Sequence, residues 1–197
     1  MSIRSKWLAI GAVALAGAVG TPLAMESEAA ADPAPKAGAV RLVVDLSDRQ
    51  LNVVQGDQVA RTYSVAIGKA EHPTPRGEFR IRRIIWNPRW VPPEAKWARG
   101  KRARAPGDPR NPMGRVKMFF KEPDYYVHGT HQEDSLGQAE SHGCIRMRNA
   151  DVIDLARVVM EHGGENREPG WFRRVVNRVT HTQDVRLSQA VQFEVRE

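Results

Sequence analysis

Four residues of this 197-residue chain have side chains suited to covalent chemistry and lie close together: the only cysteine, Cys144, and three of the six histidines, His128, His131 and His142. A thiol is mostly protonated at neutral pH, with an ordinary pKa of about 8.5. It becomes a nucleophile when an imidazole takes its proton or oriented N–H groups stabilise the thiolate. That chemistry suits attack on an acyl group. The bland alternative is a small buried hydrophobe, which is what many lone cysteines are.

His128 lies sixteen residues before Cys144, far enough for two separate strand ends to meet. His142 lies only two before it, so in an extended segment the two side chains leave the same face in parallel. Either could serve as base; His128 is preferred because a residue from another segment can approach the sulfur head-on. Gly143 lets the chain turn so that nearby N–H groups face a developing oxyanion. His128, His131, His142 and Cys144 would also make four zinc ligands on paper. Flanking glycines and the lack of a second cysteine weigh against that reading.

The elements that must position these residues read as β-rich. Leu42, Val44 and Leu46 share a period-2 face. A turn at Ser47–Gln50 leads to Leu51–Val54, and alternation resumes from Val59 to Ile67, so the start is an antiparallel meander. Glu78–Trp86 alternates again after a loop held by Pro73 and Pro75. From Asn87 to Gly114 periodicity stops: six prolines, three glycines and many basic residues mark a functional loop. Trp86 at its edge and Trp90 and Trp97 within it are candidates to line a groove. Short strands are expected at Val116–Phe120, Tyr125–His128 and Cys144–Met147. A helix capped by Asn149 should bury Val152, Leu155, Ala156 and Val159 and stop at Gly163–Gly164. Beyond it come a basic helix near Trp171–Val179 and a strand pair at Asp184–Leu187 and Val191–Val195.

Arg4 and Lys6 precede an apolar run from Trp7 to Val19, followed by Pro22 and Ala29–Ala31. This is the layout of a cleaved secretory signal over residues 1–31, too short an apolar run for a membrane span. Residues 32–39 read as a linker, 40–164 as a catalytic domain, and 165–197 as a helix and strand extension packed on it. In an exported protein an unpaired thiol needs a reason, because paired cysteines there become disulfides. The net charge of +7 then points to a polyanionic envelope as partner in place of nucleic acid.

His128-Gly129-Thr130 followed by Ser141-His142-Gly143-Cys144-Ile145-Arg146-Met147 resembles the signature of the L,D-transpeptidases, the YkuD-type catalytic domain. Val44–Leu51, Ala66–Lys69, Pro73–Phe79 and Asn111-Pro112-Met113-Gly114 are similar to further elements of that domain. Met113 stands in place of the more usual leucine, and His131 is an unusual neighbour. The resemblance implies a mainly β fold, an antiparallel β-sandwich with one or two short helices. It also implies an exported enzyme of the periplasm or cell wall acting on peptidoglycan stem peptides, without metal or organic cofactor. Cys144 would be the nucleophile and His128 the base, its ring oriented by the carbonyl of Gly129. N–H groups of His142, Gly143 and Cys144 would form the oxyanion hole. Ser141, His142 and Arg146 would position the loop or a substrate carboxylate, with Trp90 on the groove wall. The acyl acceptor would be a second stem, a wall-anchored protein or, in an L,D-carboxypeptidase, water. A non-catalytic wall-binding protein is the remaining alternative.

Overall fold

The computed structural model describes residues 38–197; the signal expected at 1–31 and most of the linker lie outside the described residues. Ten strands and two helices follow in order. The first five strands are β1 (Val40–Asp45), β2 (Gln50–Gln55), β3 (Gln58–Ser64), β4 (Ile67–Gly68) and β5 (Gly77–Trp86). Then come β6 (Val116–Lys121), β7 (Tyr125–Thr130), β8 (Ala139–Ser141) and β9 (Ile145–Arg148), α1 (Asn149–His162), α2 (Pro169–Asn177) and β10 (Gln183–Arg196).

Eight strands form one sheet in the order β3-β2-β1-β10-β5-β6-β7-β9, and β4 pairs with β8 in a small second sheet. The protein is mainly β with two helices, as expected, but the sheet is mixed, not antiparallel. β1 runs parallel to β10, β7 to β9, and β4 to β8. Each parallel pair joins segments that are not linked by a tight hairpin; the residue 131–144 excursion carries the chain back so that β9 can start beside β7.

Three local expectations are corrected. In the chain after Gly164, β10 lies between β1 and β5 inside the sheet. It is also one strand with an irregularity between Arg186 and Val191, where a pair of strands was expected. Asn149 does not cap α1: Arg148 holds that position without a side-chain cap, and Asn149 opens the helix. Trp86 is a core residue, packed edge-on against Trp171 and Phe172 of α2.

The alternation seen in sequence places one hydrophobic core against α1. Leu42, Val44, Leu51, Ile81, Ile84, Met118, Val127, Ile145 and Met147 join Val152, Leu155, Ala156 and Val159 in it. The same alternation sends Tyr126, His128 and Arg146 to the other face of β7 and β9.

Candidate functional site

Strand pairing brings the distant motifs together. His128 pairs with Arg146, and Val127 with Ile145. Continuing that parallel register by one residue puts Cys144, just before β9, level with Tyr126. One face of this strand pair belongs to the core; the other lines an open cavity of about 1120 Å³ whose walls include Trp90, Trp97, Tyr126, His128, His131, Ser141, His142, Cys144 and Arg146.

The turn carrying Cys144 depends on Gly143, which has φ of 101°. A Cβ there would also lie 2.8 Å from the Tyr125 ring, so both conformation and space exclude other residues. Ser141 is buried and ties the turn: its Oγ accepts from the Gly143 N–H at 3.0 Å and donates to the Cys144 carbonyl. The Gly143 N–H is therefore engaged by Ser141 and does not face the cavity as a free oxyanion donor.

Cys144 is half-buried, and its Sγ donates to the Asp124 carbonyl at 3.4 Å, not to an imidazole. Burial pushes the thiol above its ordinary pKa, opposed by hydrogen bonds from the Tyr126 backbone and phenol and by the charges of Lys117 and Arg146. His128 is buried, and its Nδ1 lies 2.7 Å from the Gly129 carbonyl. A carbonyl only accepts, so Nδ1 carries the proton and, in the neutral ring, Nε2 is the nitrogen that bears the lone pair. Burial drives the imidazole pKa down to about 3, opposed by backbone hydrogen bonds with Gly129 and Pro112 and reinforced by the nearby Arg146 and Lys117 charges. At neutral pH the site holds a neutral thiol and a neutral imidazole.

The loop over residues 87–114 forms the opposite wall. Trp97 stacks on His142 with ring centroids 4.2 Å apart, and Lys101 lies over Trp97 at 4.9 Å. Trp90 is bridged to Arg104, and Asn111 donates to the carbonyls of Pro88 and Ala105. Burial lowers the His142 pKa, reinforced by the His72 and Lys69 charges; the His72 ring is 5.0 Å away. Arg146 donates to Gln132 at 3.4 Å and reaches the cavity. His131 is exposed on the cavity rim. Among the described residues no three His, Cys, Asp or Glu side chains gather as metal ligands.

Two residues at the site escaped the sequence reading. Tyr126 was legible in hindsight, since it lies two residues before His128 on the same strand face. Lys117, half-buried on β6, pairs with His128 across the sheet and sits 3.8 Å from the Tyr126 ring centroid. Nothing in its local sequence marks it, because that contact exists only through strand pairing.

Fold and site together define a class: a mixed-sheet domain that presents one thiol and one carbonyl-held imidazole on a shared open cavity. The YkuD family model, described as the L,D-transpeptidase catalytic domain, matches residues 39–176, and the chain belongs to that family. A protein named L,D-transpeptidase YkuD in Bacillus licheniformis is 36% identical over 119 residues, covering 60% of this chain and 59% of its own. Its namesake in Bacillus subtilis is 33% identical over 127 residues, covering 64% and 65%. The chain thus spans about three-fifths of the length of these relatives. The catalytic domain of an E. faecium L,D-transpeptidase shares the fold with TM-score 0.50 at 16% identity, over 81% of this chain and 98% of that one.

Proposed function

We propose that the protein is an exported cysteine L,D-transpeptidase of the cell envelope. Cys144 attacks the bond before the terminal D-alanine of a tetrapeptide stem, D-alanine leaves, and the thioester passes its acyl group to an amine. The observation that supports this reading best is the orientation of His128: Nδ1 is held by the Gly129 carbonyl, so Nε2 is the nitrogen free to take a proton. The sulfur must turn from the Asp124 carbonyl toward that nitrogen as substrate enters, a tightening common when catalytic groups meet their substrate.

Proton transfer and nucleophilic attack then occur together. The thiol gives its proton to Nε2 as Sγ bonds to the carbonyl carbon, and the imidazolium returns the proton to the leaving amine. Because the Gly143 N–H is engaged by Ser141, the backbone N–H groups of His142 and Cys144 are the oxyanion donors in this scheme. Arg146, fixed at the register position of His128, suits a stem carboxylate through its planar fork. Trp90, Trp97 and the basic loop wall limit water, which favours transfer to an amine over hydrolysis.

Purified protein incubated with a disaccharide-tetrapeptide tests this. Mass spectrometry should show cross-linked dimers that have lost one D-alanine. Tripeptide monomer alone would instead make the protein an L,D-carboxypeptidase, and unchanged substrate would leave only wall binding.

A further inference from the structure

We infer that Asn149 is a positioning residue for the reaction, bridging the Asn111–Gly114 loop to β7 so that the Gly129 carbonyl is held where it orients the His128 imidazole. This rests on the reading of His128 as the base. The Asn149 side chain uses both ends of its amide: Oδ1 accepts from the Arg115 N–H at 2.9 Å, and Nδ2 donates to the Thr130 carbonyl at 3.0 Å. Arg115 directly follows the loop, and Thr130 directly follows Gly129.

The fit around this amide leaves no slack. A Cβ on Gly129 would lie 2.2 Å from Asn149 Oδ1, and one on Gly114 would lie 2.3 Å from the same atom and 2.7 Å from the Gly129 carbonyl carbon. Gly114 also has φ of 58°. The two glycines therefore stack against the amide, with the Gly129 peptide between loop and helix. Asn149 itself is anchored as the first residue of α1, whose Val152 and Leu155 are fully buried. No other side chain meets these demands: aspartate has no donor for Thr130, alanine has neither group, and glutamine is a methylene too long for contacts this close. This explains why Asn149 does not cap its own helix. It also gives the glycines of two separate sequence motifs one shared cause.

The consequence runs through a single hydrogen bond. Nδ1 of His128 is the proton-bearing nitrogen because it faces the Gly129 carbonyl; if that peptide can tilt, the imidazole populates both tautomers and part of the population offers an N–H to the thiol.

The test compares wild type, Asn149→Ala and Asn149→Asp by three measurements: thermal unfolding, ¹⁵N NMR of the His128 ring between about pH 5 and 8, and the rate of acylation by a carbapenem. Wild type should show one tautomer, with Nδ1 protonated. Both variants should show a mixture, and acylation should slow about 10- to 100-fold, the scale on which misplaced groups act. A single wild-type tautomer in folded Asn149→Ala, with only a lower Tm, would overturn the inference. If Asn149→Ala does not fold, Asn149→Asp, which keeps the volume and the acceptor for Arg115, decides by the same NMR readout. The tautomer contrast does not depend on turnover. A wild type that resists acylation would sink the transpeptidase reading while leaving this inference to stand or fall by its own spectrum.

Discussion

At the scale of single residues the site is defined by two neutral groups. Burial raises the Cys144 thiol and lowers the His128 imidazole, so both shifts oppose a preformed thiolate–imidazolium pair. Alkylation of Cys144 by a small neutral reagent should therefore quicken with rising pH past the ordinary thiol range near about 8.5, without a plateau. A plateau beginning near about pH 6 would show that the ion pair exists before substrate binds. The same His128 sets a stability slope. Its folded pKa of about 3 lies below the ordinary 6.5, so on acidification the unfolded chain takes up a proton that the native state refuses. Stability is lost as pH falls from 6.5 toward 3, and His128→Gln should flatten this part of the Tm profile; equal slopes in both proteins would contradict the assignment. That Cys144 and His128 share one cavity was legible because few residue types do this chemistry. Tyr126 had a local signal that was overlooked. The engagement of the Gly143 N–H by Ser141 and the bridging by Asn149 were not legible, since hydrogen-bond direction follows from backbone conformation.

At the scale of elements, period-2 and helical patterning located β1, β2, β5 and α1 well, because each buries one clear stripe. β10 was harder. Its irregularity between Arg186 and Val191 interrupts the alternation, so one long strand reads as two. Its place inside the sheet comes from parallel pairing with β1, a contact spanning most of the chain that local patterning cannot reveal. Phe193 in this strand is fully buried and stacks on Phe120 of β6 at 4.7 Å. Phe193→Ala should cost about 3–5 kcal/mol in denaturant unfolding, the usual range for a buried phenylalanine; a loss below about 1 kcal/mol would mean that β10 packs loosely. A chain ending at Gly164 lacks β10 and should show no cooperative unfolding, whereas a folded, acylatable chain of that length would contradict this.

At the scale of the whole molecule, charge and burial divide the work. The core gathers between the sheet and α1, while the cavity opens on the other face among Lys101, Arg102, Arg104, Arg110 and Arg146. If the net charge of +7 draws the proposed enzyme to isolated sacculi, retention should fall as sodium chloride rises from about 50 to 500 mM, where screening shortens to a few ångströms. Salt-independent retention would instead point to recognition through the cavity alone. Among the described residues no helix is long and apolar enough to cross a membrane. The proposed export predicts a processed chain with a new N-terminus after the signal-like residues 1–31, which N-terminal sequencing would check.

The proposed activity depends first on Cys144 forming a thioester. A carbapenem offers a strained amide that a thiol can open into a stable acyl-enzyme, so intact-mass spectrometry of the protein after incubation reads this step directly. Wild type should gain the mass of one carbapenem, mapped to Cys144 by peptide analysis. Cys144→Ala should gain none, and His128→Gln should acquire the adduct about 10²- to 10⁴-fold more slowly. An unmodified wild-type protein, or an adduct that survives in Cys144→Ala, would contradict the account.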